Sequence, residues 1–238
     1  MKKHFLNLVN LFVLLSLLFI SCGKGRDNDT SQNMLNAQNK ATGIFINGHE
    51  CVDLGLPSGI KWATCNVGAA SPEEFGGCYA WGEIEEKEDY SWGNYKWSFE
   101  ESDVIIKYSA NDINNHLDKY CAVFDDKTIL ELEDDVANVK WGSSWRMPTY
   151  EEFEELLAES TLERAKLNGV NGYKVIGPNG NSIFLPQGDG CVGGGGDYWS
   201  SSLFSSSQLA NCMLISKNVQ GCALLGRWQG LNVRPVSD

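Results

Sequence analysis

The last forty residues constrain the fold most. Two rigid pieces, Tyr198-Trp199-Ser200-Ser201-Ser202 and Asn232-Val233-Arg234-Pro235-Val236, bracket a stretch from Leu203 to Leu231 that does not keep strict alternation. Strands fit Gln208 to Ser216, Val219 to Leu225 and Leu231 to Val236. A frame with a chemically mixed filling describes a scaffold that presents a surface. The filling carries only Lys217 and Arg227 as charges, in a chain whose formal charge is -12. Apolar and aromatic residues exposed on an otherwise charged surface mark a binding patch. Alternation turns Met213 and Ile215 inward, and Asn211, Cys212 or Leu214 outward. Phe204, Asn211, Leu214, Cys222, Leu224, Leu225, Trp228, Gln229 and Leu231 are therefore the candidate ligand-binding residues, with Trp228 as the main anchor. The competing expectation is that Trp228 and Leu224 merely cap the core.

The other end of the chain says where such a surface works. Lys2 and Lys3 precede an apolar run from Phe5 to Ile20, and the run stops at Ser21-Cys22-Gly23. It is too short and wrongly flanked for a lasting membrane span and reads as a secretory signal. Phe19-Ile20-Ser21-Cys22 resembles a bacterial lipobox, in which Cys22 becomes the lipidated first residue. Several acyl chains hold a protein on a membrane far more firmly than one. The expected organisation is a lipoprotein signal peptide over 1–21, a polar flexible tether over 22–42 and one domain over 43–238, exported and lipid-anchored to the outer membrane at the cell surface.

Composition limits the partners. Without Lys2 and Lys3 the chain keeps 17 basic against 31 acidic residues, a charge of -14. Nucleic acid and anionic lipid are poor partners for such a surface, because both demand clustered Lys and Arg. The acidic runs Glu83, Glu85, Glu86, Glu88, Asp89 and Glu131, Glu133, Asp134, Asp135 read as solvated faces. They leave calcium open, but no twelve-residue loop of alternating oxygen ligands indicates it, so neither a metal nor a cofactor is expected. Cys51, Cys65, Cys78, Cys121, Cys191, Cys212 and Cys222 remain after Cys22, an odd count with no Cys-x-x-Cys. Mostly buried thiols with at most one or two bridges are expected, and zinc is not.

Further elements are legible. Cys51 to Leu56 and Ile60 to Thr64 read as an opening hairpin. The region from Phe75 to Tyr120 is dense in aromatics beside glycine, including Tyr79-Ala80-Trp81-Gly82; core packing is favoured over stacking on sugar rings. Glu131 to Lys140 reads as a helix with a stripe of Leu132, Val136, Ala137 and Val139, ended by Gly142. Thr149 and Glu152 form a capping-box pattern that opens a helix to about Ser160. Tyr173 to Ile176, the turn Pro178-Asn179-Gly180 and Ser182 to Leu185 read as a second hairpin. Gly188 to Gly196 is a glycine-rich loop without the Lys-Ser or Lys-Thr of a phosphate cradle.

Val52-Asp53-Leu54-Gly55-Leu56-Pro57-Ser58-Gly59, Lys61-Trp62-Ala63-Thr64-Cys65-Asn66-Val67-Gly68-Ala69, Tyr79-Ala80-Trp81-Gly82-Glu83, Leu132-Glu133-Asp134-Asp135-Val136-Ala137, Trp141-Gly142-Ser143-Ser144-Trp145-Arg146-Met147-Pro148-Thr149, and the two C-terminal blocks occur in this order. Together they resemble the major paralogous domain family first described in Fibrobacter succinogenes. The resemblance implies an α+β domain of the C-type-lectin-like class, related to formylglycine-generating enzymes, with two helices and small antiparallel sheets. It also implies kinship with the variable proteins of diversity-generating retroelements, whose last strands are rewritten on a constant frame. Trp199, Ser200, Arg227, Gly230, Val233, Arg234 and Pro235 match the frame of such tails, while the residues between depart from the Asn and Tyr common there.

The related oxidases use a cysteine pair, and Cys212 and Cys222 lie near the corresponding end of the domain. No motif, acid or histidine accompanies them, so no enzymatic activity is expected. Arg227, Arg234 and Trp145-Arg146 are expected to hold the scaffold, the two arginines through carbonyls and an acidic side chain. The expected function is a surface-anchored domain that binds a protein or a glycan through its C-terminal strands and loops, diversified by a retroelement. The alternatives are a fixed carbohydrate-binding or adhesion lipoprotein and a passive envelope component.

Overall fold

A computed structural model describes residues 43–99, 104–109, 125–188, 191 and 196–238. The signal peptide, Cys22, the tether, Cys121 and most of the glycine-rich loop lie outside the described residues.

Asn-Gly dipeptides start the sheets. Asn47 and Gly48 both adopt positive φ, 48° and 82°, the pairing that closes a two-residue hairpin in the sense that matches strand twist. They join β1 (Ile44–Ile46) to β2 (His49–Asp53), and β2 pairs antiparallel with β3 (Lys61–Ala63). The opening hairpin is thus one strand earlier than alternation alone indicates, and the expected pair becomes the second half of a meander. Asn168 and Gly169, at 47° and 91°, repeat the device between β4 (Thr161–Leu167) and β5 (Val170–Ile176). The turn at Pro178-Asn179-Gly180 then leads to β6 (Ser182–Pro186), paired with β5 as expected.

Two helices of at least six residues occur among the described residues, α1 (Val136–Trp141) and α2 (Tyr150–Glu159). The first begins five residues later than the apolar stripe indicates. The Asp135 carboxylate accepts from the backbone N–H of Ala137 and Asn138, at 2.9 and 3.2 Å, and so fixes the start. Leu132 and Val139, expected inside, are exposed. The capping box of α2 is complete: the Thr149 hydroxyl accepts from Glu152 N, and the Glu152 carboxylate accepts from Thr149 N at 2.8 Å.

The third sheet is β7 (Asp197–Leu203), β8 (Leu209–Ile215) and β9 (Gln220–Gly226), in that order and antiparallel. Leu231 to Pro235 does not form the expected strand. Its backbone bonds go to different neighbours: Leu231 to Tyr79, Asn232 O to Trp199 N, Val233 O to Val67 N, Pro235 O to Ala63 N. Only β10 (Val236–Ser237) is regular, and it pairs with β3, so the last strand completes the first sheet.

Among the described residues, three sheets of small antiparallel strands with two helices make an α+β architecture. One core gathers Trp81, Trp145, Trp199 and Tyr108 against Cys212 and Val233. A second lies beneath α2, where Phe153 and Leu156 meet Trp62, Tyr198, Met213 and Ile215. Tyr79, Trp81 and Tyr95 are buried, and the Trp81 and Trp199 indoles donate to the carbonyls of Ser200 and Tyr79, each at 2.8 Å. Core packing is therefore the role of these aromatics. A disulfide joins Cys78 to Cys191 and ties the glycine-rich segment to the aromatic region.

Candidate functional site

The expected binding residues are dispersed by the structure rather than gathered on one face. β8 is the central strand of its sheet, and both of its faces are covered. Met213 and Ile215 enter the core beneath α2, as expected, while Ala210 and Cys212 enter the other core and Leu214 packs against it. Three expectations are corrected accordingly. Asn211 is buried, its amide donating to the carbonyls of Ser202 and Leu203 at 3.3 and 3.1 Å, which steadies the bulge in β7. Cys212 is buried as well, and Leu231, at 0% exposure, is a core residue.

The remaining candidates surround β9, the outer strand. Leu224 and Phe204 are each 37% exposed, and Val219 at the β8–β9 turn is more exposed still. Leu214, Cys222, Leu225, Trp228 and Gln229 are half-buried. Trp228 stands edge-on to Trp92, with centroids 4.8 Å apart, and packs partly on the small core of Ala80, Tyr95 and Ile105. Its ring folds back over Gly226, where an added Cβ would stand 2.5 Å from it. Trp228 is thus both a packing residue and part of the surface.

The two cysteines of the oxidase comparison do not face each other. Cys212 pairs with Ala223 and Cys222 with Met213, so adjacent register positions send the thiols to opposite faces of the sheet. Burial pushes the Cys212 thiol up to about 12 and the Cys222 thiol to about 11, so both stay protonated near neutrality.

The frame arginines are buried at 0% exposure. Arg227 donates to the Tyr95 hydroxyl and to the carbonyls of Lys107, Tyr108 and Ser207, with its guanidinium 4.7 Å above the Trp81 ring. Arg234 donates to Asn66 Oδ1 and to the carbonyls of Ala63, Thr64 and Phe184. Among the described residues neither has the expected acidic partner: neutral oxygens satisfy the fork of donors. Arg146 does use acids, bonding both oxygens of Glu152 and Asp238 Oδ1.

The second acidic run is not a solvated face throughout. Asp134 and Asp135 are buried, and Asp135 Oδ2 also accepts from Met147 N at 2.7 Å, locking the loop after α1 to its start. Carboxylate oxygens of Glu131, Glu133 and Asp134 converge as metal ligands could. The Lys107 ammonium already lies 2.6 Å from Glu131 and Asp134 and 3.4 Å from Glu133, supplying the positive charge that a cation would bring. Lys96 and Lys127 add two more ion pairs there.

Comparison with family models, with curated proteins and with solved structures finds no match for this chain.

A concavity that the sequence reading missed lies on the first sheet, between Phe45, Glu50, Thr64 and Trp141. The Asn47-Gly48 dipeptide, flanked by Ile44-Phe45-Ile46, is the signal that would have found its hairpin.

Proposed function

We propose that this is a surface-anchored lipoprotein of C-type-lectin-like fold that binds a protein ligand along β9 and the adjoining Phe204 and Trp228. The observation that supports this reading is the composition of the outer strand. From Leu203 to Gly226 the only charge is Lys217, and Leu224 and Phe204 stay open to solvent in a chain of net charge -12. An uncharged, apolar outer strand is a liability on a secreted protein unless something covers it. Mixed aliphatic and aromatic residues favour a protein over a glycan, which prefers aromatic faces flanked by amides and acids.

Rewriting by a retroelement belongs to the same proposal, with a narrower set of variable positions. Phe204, Leu224 and Gln229 are the residues free to change, Trp228 is tied in part to Trp92, and Asn211 and Leu231 are needed inside. Deep amplicon sequencing of the codons for Tyr198 to Asp238 in a growing population tests it. Substitutions confined to the open positions support a diversified receptor; a uniform tail removes diversification. Loss of ligand capture by Leu224→Asp then tests a fixed binder.

A further inference from the structure

β9 is the outer strand of its sheet. The Arg227 N–H donates to Gln208 O and the Ser216 N–H to Val219 O, so bonded pairs alternate along β8 and β9. Gly221, Ala223 and Leu225 therefore turn their N–H and C=O to β8, while Cys222 and Leu224 turn theirs away. Among the described residues no hydrogen bond reaches those outward groups. The opposite edge is closed: in β7 the N–H groups of Trp199, Ser201 and Leu203 donate to the carbonyls of Asn232, Pro148 and Thr128. Edges left to solvent are usually blunted by charge, proline or a bulge. β4, an edge of the second sheet, carries Glu163, Arg164 and Lys166. β9 has no charge and no proline from Gln220 to Gly226, and its register with β8 is unbroken.

The chemistry beside this edge selects what can pair with it. The side chains of Cys222 and Leu224 share the face on which α2 packs. Glu154 of α2 is exposed and accepts from the Tyr150 hydroxyl. Burial, and after it the Glu154 carboxylate, pushes the Cys222 thiol up, which places that charge beside the strand. Glu151 lies about one turn earlier on the same side and is also exposed. Among the described residues no Lys or Arg pairs with either carboxylate. Two copies joined through β9 would bring both sets of Glu151 and Glu154 to one face of the joined sheet, in a chain of net charge -12. A second copy is thus a poor occupant and a basic segment a good one.

We infer that the ligand of β9 is an extended peptide segment that adds to the sheet as its next strand, with an apolar side chain beside Leu224 and a Lys or Arg beside Cys222 and Glu154. Main-chain bonds to Cys222 and Leu224 hold it, and the basic side chain sets its register. This rests on the reading that β9 binds a protein and names how it does so.

NMR titration of the full chain with the acetylated and amidated peptide Ser-Thr-Val-Thr-Lys-Thr-Ser tests the inference. Saturable shifts of the β9 amides are expected. The analogue with Glu in place of Lys should bind about fivefold more weakly, and one N-methylated through Val-Thr-Lys at least about tenfold more weakly. Leu224→Pro removes an outward donor and no bond to β8, and should weaken binding at least about tenfold. Leu224→Ala keeps that donor and should weaken it about threefold or less. No saturable binding of the Lys peptide overturns strand addition, as does equal binding of either analogue. Equal losses in Leu224→Ala and Leu224→Pro also overturn it, but leave β9 as a surface that captures side chains. Binding that no β9 substitution alters overturns the reading of β9 as well. A dimer of the free chain that Leu224→Pro disperses in sedimentation would put a second copy on the edge and overturn the inference. Should Leu224→Pro unfold, the N-methylated peptide, which leaves the protein unchanged, decides.

Discussion

Arg227 and Arg234 show how single residues hold an irregular chain. Each guanidinium gathers backbone carbonyls from segments far apart in sequence, so replacing either leaves several enclosed oxygens without donors. Arg227→Ala and Arg234→Ala should each lower unfolding free energy by about 3 kcal/mol or more in urea titrations. Lysine should rescue little of it, having neither the planar fork nor its reach. Asp135 supplies a pH signature. Burial raises its folded pKa from 3.8 to about 6, so its contribution to stability is fully present below the unfolded value and is lost as pH rises through about 6. The stability of the wild type relative to Asp135→Asn should therefore fall by about 2–3 kcal/mol between pH 4 and 7, measured by denaturation at each pH. The roles of both arginines and their carbonyl partners were legible in the sequence, whereas the acidic partner expected beside the carbonyls is replaced by the Tyr95 hydroxyl and Asn66 Oδ1. Composition gives a guanidinium five donors, and only the path of the chain decides whether acids or carbonyls meet them.

Elements that carry their own local chemistry were the most legible. The capping box at Thr149 and Glu152 and the turn at Pro178-Asn179-Gly180 specify backbone geometry within four residues, and both occur as read. Asn47-Gly48 and Asn168-Gly169 are equally local signals whose hairpins were passed over. Alternation failed on β8 for a different reason. A strand with one wet face reports inside and outside through period two, but β8 has a core on each face and its alternation separates one interior from another. Asn211 and Cys212 were misplaced on that account, and Leu231 because the segment it belongs to runs through the core instead of forming the expected strand. The outer strand tests the distinction. Leu224→Asp should remove ligand capture in a pull-down while changing stability by less than about 0.5 kcal/mol, whereas Met213→Ala should cost about 2–5 kcal/mol. Loss of folding in Leu224→Asp would assign that side chain to the core.

At the scale of the whole molecule, the sheets are stitched by contacts between distant segments. Cys78 and Cys191 close a loop of 113 residues, and removing that cross-link by Cys78→Ser should cost about 5 kcal/mol on a chain-entropy estimate, read as a lowered melting temperature. Cys22→Ser should shift the protein from the membrane fraction to the soluble fraction if the lipobox is used. The position of β10 has a temporal consequence. Its partner β3 leaves the ribosome some 170 residues earlier, and Arg234 donates to the carbonyls of Ala63 and Thr64 at the end of that strand. The first sheet must therefore wait, unfinished, for the final codons. Folding cannot proceed in the order of synthesis, and a chain cut short before Arg234 should be protease-sensitive along its whole length rather than frayed at one end.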